Sequence, residues 1–134
     1  MRRRAFMMTA AMIGGLLCGL IGGAAAAERK PFDATSFQAA QAANEPILVA
    51  IAAPWCPTCK AQKPIIDSLV TNSAYRGLTI FEVDFDTQKD VVRGFGARMQ
   101  STLIAFRGIA ETGRSVGVTD PESIEALIRS ATAP

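Results

Sequence analysis

The sequence predicts an α/β fold in which a mixed central sheet of four to five strands carries helices on both faces. Helical and strand-like segments follow one another in the order α, β, α, β, α, β, β, α. One of these segments, residues 47–53, is continuously apolar, which is typical of a central strand that helices cover on both sides. No internal repeat interrupts the order after the first 27 residues, so one layered domain is expected.

The first 27 residues have the pattern of an export signal. Three arginines at positions 2–4 form a basic start, and the uncharged stretch 7–27 ends in four alanines. We expect cleavage after Ala27, or one residue earlier, which leaves 28–134 as a domain in the periplasm or otherwise exported. The alternative is a membrane anchor that is not cleaved, because the uncharged stretch is long enough to span a bilayer.

The charge and cysteine content of residues 28–134 narrow the possible functions. Three of the 14 basic residues lie in the leader, so 11 remain against 12 acidic residues, and no nucleic-acid partner is expected. Cys18 belongs to the leader, which leaves only Cys56 and Cys59 in the domain. One closely spaced pair is not the disulfide framework of a small secreted scaffold, so the pair indicates a chemical role and not a structural one.

The first half of the domain contains two predicted helices around the apolar strand. The first helix is predicted over residues 34–44, where Thr35 is the expected N-cap and Gln38 follows it by three residues. The second helix is predicted over 56–70. Pro64 lies inside it, and we expect a kink there because proline removes one helical hydrogen bond.

The second half contains the remaining strands and two more helices. A strand is predicted over 78–85, and Thr87 is the expected N-cap of a short helix after it. Segments 102–106 and 113–118 are predicted to form a hairpin. Asp120, followed by a proline, opens a final amphipathic helix.

Residues 55–60, W-C-P-T-C-K, lie directly after the apolar strand. Cysteines three residues apart in the first turn of a helix lie on one face, close enough to form a disulfide. Pro57 fits the first helical position, where its missing N–H costs nothing. Cys56 as N-cap then turns its sulfur toward the free backbone N–H groups of Thr58 and Cys59. The pair is predicted to be a redox-active dithiol.

The surroundings of Cys56 predict that it is the nucleophile and that Cys59 is the resolving thiol. The helix N-terminus favours a thiolate, and Lys60 and Lys63 add positive charge within the same turn or the next. Such surroundings lower a cysteine pKa from about 8.5 to roughly 3.5 to 7.5. The alternative for the two lysines is a solvated helix face.

A zinc site is the other common use of a C-x-x-C pair. A structural zinc ion takes four Cys or His ligands, and the chain has no histidine and no third cysteine outside the leader. No self-contained metal site is therefore predicted.

These features together resemble the thioredoxin family. The resemblance covers residues 30–132 and rests on the W-C-x-x-C-K run after a buried strand, Pro64, Phe95, Gly96 and Gly117. It implies a thioredoxin-like fold and thiol–disulfide exchange, in which Cys56 attacks a partner disulfide and Cys59 resolves the mixed disulfide. It also implies that Trp55 flanks the dithiol and shapes the client surface, beside its alternative role as an apolar packing residue.

The sequence departs from the family at Ser101, where relatives have a proline, normally after a cis peptide bond and beside the dithiol. A cis bond before a residue other than proline costs about 2.5 to 4 kcal/mol, so we expect the Gln100–Ser101 bond to be trans. Ser101 either alters client choice or exposes the sulfurs, or it is a neutral replacement that keeps the same loop path. Its neighbour Thr102 is predicted to be a supporting residue of the site.

A second departure is Ala50, where the family often has an aspartate that takes the proton of the resolving cysteine. Glu82, in the adjacent predicted strand, could reach the same region. A carboxylate desolvated there would have a raised pKa and would suit general-base catalysis. The alternative is a solvent-accessible charge beside Asp84.

The predicted function is that of an exported thiol–disulfide oxidoreductase that exchanges the Cys56/Cys59 dithiol with client proteins, more as a reductant than as an oxidant. The resemblance implies a monomer without a cofactor other than its disulfide, supplied with electrons by an inner-membrane thiol donor. The alternative is a metal-binding module in which two chains share their thiolates around zinc or an iron–sulfur cluster. The feature that favours this alternative is the absence of the proline that shields the dithiol from metals in the family.

Overall fold

The predicted mixed sheet is present and has five strands. The computed structural model describes residues 25–134. Their elements are β1 (Glu28–Pro31), α1 (Ala34–Ala42), β2 (Pro46–Ala52), α2 (Pro57–Leu69), a short 3-10 helix (Ser73–Tyr75), β3 (Thr79–Asp84), α3 (Lys89–Gly94), β4 (Thr102–Arg107), β5 (Ala110–Val116) and α4 (Pro121–Thr132). The strand order is β1-β3-β2-β4-β5. The first three of these strands are parallel, and β4 and β5 are each antiparallel to the strand before them in that order.

Two apolar cores lie on opposite faces of the sheet, because successive side chains of a strand point to opposite sides. Alternate residues of β2, beginning with Ile47, pack on the side of α1 and α3 in one cluster with Phe37. The intervening residues, beginning with Leu48, pack on the side of α2 and α4 in a cluster with Ile66 and Ile128. The continuous apolar run is therefore a central strand with a core on each side, as predicted.

The structure differs from the prediction at the first strand. Residues 28–31 form β1, which the sequence pattern did not reveal because three of them are charged and the fourth is proline. Backbone pairing creates this strand: it lies parallel to β3, and the Phe32 N–H donates to the Glu82 carbonyl at 2.7 Å. The edge of β3 is thereby covered.

Two helix N-caps also differ from the prediction. α1 is capped by Asp33 and not by Thr35, because the Asp33 carboxylate accepts a backbone N–H of the first turn at 2.8 Å. α3 begins after Gln88 without a side-chain cap. Thr87 lies before it in a turn, where its N–H donates to the Asp84 carboxylate at 2.9 Å. Asp33 therefore takes the role predicted for Thr35, and Thr87 caps no helix.

The remaining elements follow the prediction closely. α2 continues through Pro64, and the kink expected there stays a prediction. Asp120 caps α4 by accepting from the Ser123 N–H at 2.9 Å. The hairpin turn is shorter than expected, since it consists of residues 108–109 and β5 begins at Ala110. The first residue of this turn is a glycine with φ +56°, a conformation that suits a tight turn.

Most of the predicted leader, residues 1–27, lies outside the described residues, and the export signal stays a prediction. The Ala25 carbonyl accepts the Gly77 N–H at 2.7 Å, and Ala27 packs against the core on the side of α2 and α4. Within residues 25–134, no helix has the length and apolar character needed to cross a membrane.

Removal of a fully buried side chain from α4 should destabilise the fold that carries the site. Ile128→Ala should lower the free energy of unfolding by about 2 to 5 kcal/mol, because Ile128 is 0% exposed and the change leaves a cavity. Ile109→Ala is the matched control, since Ile109 is 83% exposed, and it should change stability by about 0.5 kcal/mol or less. Urea denaturation measures both, and equal losses would contradict the assignment of the core.

Candidate active site

The two cysteines of the W-C-P-T-C-K run lie at the start of α2 and form a disulfide. Their Cα atoms are 5.3 Å apart, within the usual range for such bonds. Cys56 is the N-cap of the helix, Pro57 is its first residue, and the Cys56 sulfur accepts the Cys59 N–H at 3.1 Å. The predicted cap is therefore confirmed, and the same N–H is placed to stabilise a thiolate at Cys56 in the reduced protein.

Both cysteines are buried in this disulfide form, with Cys56 1% and Cys59 7% exposed. Thr58 between them is half-buried. Trp55 is 55% exposed, and its indole N–H donates to the Asp86 carboxylate at 2.8 Å. The indole ring is thus held as an exposed apolar surface next to the disulfide.

A cavity of about 410 Å³ lies beside Cys59 on the face of the sheet that α2 covers. α2 contributes Lys60, Gln62 and Lys63 to its lining, and the sheet contributes Ala50 and Glu82. Ala50 pairs with Glu82 in the sheet, and its methyl group leaves room that a longer side chain would occupy. The cavity joins the resolving cysteine to a rim of charged side chains.

An ion-pair network forms the rim of this cavity. The Arg29 guanidinium donates to Glu82 at 2.7 Å and to Asp67 at 2.6 Å, and Lys63 donates to Asp67 at 3.0 Å. The network ties β1, β3 and α2 together. Burial works to raise the pKa of Asp67, but the bonds from Lys63 and Arg29 outweigh it and hold this pKa below its usual value of 3.8.

For Glu82 the sequence left two alternatives open, a desolvated general base and a solvent-accessible charge. Glu82 shares the cavity with Cys59, but its side chain is 42% exposed and is paired with Arg29. Its general-base role stays a prediction. The effect of Lys60 and Lys63 on the sulfurs also stays a prediction, and Lys63 is paired with Asp67.

The loop before β4 brings Ser101 to the end of the sheet that carries the disulfide. Thr102, the first residue of β4, is buried and pairs with Ile51 near the end of β2. No cis peptide bond occurs in residues 25–134, so the expected trans bond between Gln100 and Ser101 is confirmed. The hydroxyl of Thr102 donates to the Met99 carbonyl at 2.7 Å, which tightens the loop.

The backbone at Ser101 is left-handed, with φ +58°, although the residue is 5% exposed. This conformation costs a residue with a side chain about 1 to 2 kcal/mol, and proline, whose φ is fixed near −65°, cannot adopt it. The Ser101 carbonyl accepts the Gly117 N–H at 3.0 Å and the Gln62 amide at 3.2 Å. The loop therefore has a shape different from one built around proline.

Three residues of the site were missed in the sequence: Arg29, Gln62 and Asp67. Gln62 carries a usable signal, because it is a polar residue spaced three after Cys59 and four before Ile66 on the buried face of α2. Arg29 and Asp67 carry none, since their pairing depends on β1.

Comparison with known proteins agrees with this geometry. The sequence model of the thioredoxin family matches residues 28–130. A thioredoxin of Chlamydia muridarum is 35% identical over 82 residues, which are 61% of this chain and 78% of that protein. A thioredoxin of Aspergillus fumigatus is 29% identical over 90 residues, which are 67% of this chain and 81% of that protein.

Solved structures show the same fold. The crystal structure of Trxlp from Edwardsiella tarda has a TM-score of 0.72 and 39% identity, and the match covers 76% of this chain and 97% of that chain. A thioredoxin mutant from Halobacterium salinarum has a TM-score of 0.69 at 22% identity, covering 84% of this chain and 98% of that chain, which is a similarity of fold. The predicted thioredoxin-like fold is confirmed.

Within residues 25–134, no group of three or more His, Cys, Asp or Glu side chains could hold a metal ion. The alternative metal-binding module takes its ligands from two chains, and it stays a hypothesis.

Loss of the Asp67 carboxylate should weaken the domain in a pH-dependent way. Asp67→Asn should lower stability at neutral pH by about 0.5 to 1 kcal/mol, the range for partly exposed ion pairs. Because the folded pKa of Asp67 lies below the unfolded value, its contribution is present above about pH 4 and is lost as the pH falls through the folded pKa.

The measurement is urea denaturation of both proteins from about pH 7 to about pH 3. Asp90→Asn, which removes the exposed ion pair with Arg93, is the control and should have little effect. A difference between Asp67→Asn and the unchanged protein that does not shrink as the pH falls would contradict the ion-pair account.

Proposed function

The chain belongs to the thioredoxin family, and from this premise we propose that it is an exported reductant of protein disulfides. Thiol–disulfide oxidoreductase activity follows from the family and from the bonded Cys56–Cys59 pair. The observation that carries the proposal is the position of Cys56 as N-cap of α2, with its sulfur against the Cys59 N–H. That position favours a thiolate, which is the attacking form in disulfide exchange.

The reaction begins from the reduced dithiol. The Cys56 thiolate attacks one sulfur of the client disulfide, which forms a mixed disulfide and releases the other client sulfur as a thiolate. Cys59 loses its proton and attacks the Cys56 sulfur, which releases the second client sulfur and closes the Cys56–Cys59 bond. The client gains two electrons, and the protein ends in the disulfide form that the structure shows.

The proton that leaves Cys59 needs an acceptor, and we assign this role to Glu82. Ala50, where relatives often carry an aspartate, has no ionisable group. Cys59 and Glu82 both line the cavity beside the disulfide, which at about 410 Å³ is large enough for water molecules to link them. Arg29 holds the Glu82 carboxylate at 2.7 Å and so fixes one end of this path.

Export and the reducing direction are further parts of the proposal. The leader sequence supports export, and the similarity to thioredoxins supports reduction. A dithiol outside the cytoplasm must be reduced again after each turnover, so an inner-membrane thiol donor completes the cycle. We further propose that the exported protein is a monomer. Cleavage after Ala27 would keep β1, which begins at Glu28, whose N–H donates to Leu78, and would remove the Ala25–Gly77 bond and the packing of Ala27.

Mixed disulfides should accumulate on Cys59→Ser in the cell envelope, because Cys56 can still attack but no second thiol resolves the product. Non-reducing gels and mass spectrometry of the captured adducts measure this. Cys56→Ser is the matched control and should capture few clients. Equal capture by both variants would contradict the assignment of Cys56 as the attacking thiol.

The dithiol should be found mostly reduced in living cells. Acid quenching, alkylation and mass spectrometry of the full-length chain expressed in a bacterium report the redox state and the N-terminus together. We expect free thiols and a chain that starts at Glu28, or at Ala27, in the periplasmic fraction. A mostly oxidised pair would contradict the reducing direction, and a full-length chain in the membrane would contradict cleavage.

A further inference from the structure

Gln62 is a buried polar residue in the middle of the apolar face of α2. It is 3% exposed, and it lies one turn after Cys59 on the same side of the helix. Its side-chain nitrogen donates to the Ser101 carbonyl at 3.2 Å and to the Val118 carbonyl at 2.9 Å. One amide group therefore joins the helix that carries the disulfide to two other segments of the chain.

The two segments that Gln62 joins are already in contact with each other. The Ser101 carbonyl also accepts the Gly117 N–H at 3.0 Å, so this carbonyl has one partner from α2 and one from the end of β5. We call the group formed by Gln62, Ser101, Gly117 and Val118 the amide clamp. Its members come from three separate parts of the sequence, and Gln62 also lines the cavity beside Cys59.

The amide clamp acts on a strained part of the backbone. Ser101 has φ +58°, a conformation that residues with a side chain adopt only when their surroundings hold them in it. Its carbonyl is held by two donors, one of which comes from α2, the helix that begins at the disulfide. A purely apolar side chain at position 62 would leave the Val118 carbonyl without this donor and the Ser101 carbonyl with one donor only.

Building on the thiol–disulfide exchange proposed above, we propose that Gln62 is a positioning residue for that reaction. Its amide holds Ser101 in the left-handed conformation and thereby fixes the loop of residues 99–101 relative to the Cys56–Cys59 pair. Gln62 transfers no proton and forms no bond to the client. It keeps the loop in one conformation while a client protein docks against the disulfide.

The test compares Gln62→Met with a control substitution on the same helix. Gln62→Met keeps the size of the side chain but removes both hydrogen bonds, so the rate constant for reduction of a protein disulfide should fall about tenfold. Ser68→Ala is the matched control, because Ser68 lies on the exposed side of α2, and it should leave this rate unchanged.

Reduction of the Cys56–Cys59 bond by dithiothreitol is the second measurement, since a small thiol does not depend on the loop. Its rate should be the same in the unchanged protein and in both variants. An equal fall of both rates in Gln62→Met would show that Gln62 acts on the sulfurs through the cavity and would overturn the proposal. Unchanged client reduction in folded Gln62→Met would also overturn it.

Two further results keep the proposal testable. If Gln62→Met does not fold, Gln62→Asn takes its place, because its amide is too short to reach both carbonyls, and it should show the same fall in client reduction with an unchanged dithiothreitol rate. If the unchanged protein fails to reduce client disulfides, the proposed function has failed. The clamp is then decided by backbone amide exchange of residues 99–101, which should be faster in Gln62→Met than in the unchanged protein. Equal exchange in the two proteins would overturn the proposal.

Discussion

The burial of β2 on both faces is the constraint on which the rest of the structure depends. Every residue from Ile47 to Ile51 is 7% exposed or less, and the strand pairs with β3 on one side and β4 on the other. Because β2 is buried on both faces and paired along both edges, the position of its last residue is fixed as well. Cys56 lies four residues beyond that end and starts α2, so the position of the disulfide is set by the core and not by a mobile loop.

The face of β2 that α2 covers is less completely filled than the other face. Ala50 contributes only a methyl group there, and the cavity beside Cys59 is the result. Charged groups surround its opening because Arg29, from the edge strand β1, reaches both Glu82 and Asp67. An ionised acid buried at this place would lose its hydration, which costs free energy. The charged groups at the rim remain partly in water, and they are paired with opposite charges.

The loop before β4 is held by hydrogen bonds and not by ion pairs. Ser101 takes a left-handed backbone at the end of the sheet, and its carbonyl receives donors from α2 and from the residue after β5. The hydroxyls of Ser101 and Thr102 donate to the carbonyls of Gln100 and Met99. The short segment is thus almost fully bonded to its own surroundings, which is how a strained conformation persists in a folded protein.

The sequence by itself determined the central strand, the dithiol with its Cys56 cap and the final helix, because each depends on residues that are neighbours in the chain. The apolar run at 47–53 and the proline after Cys56 are signals of this local kind. Only the tertiary structure decided β1, the Arg29 ion pairs and the contact between Gln62 and Ser101. These depend on strand pairing and on residues 38 to 53 positions apart, whose meeting is fixed by packing and not by local propensity.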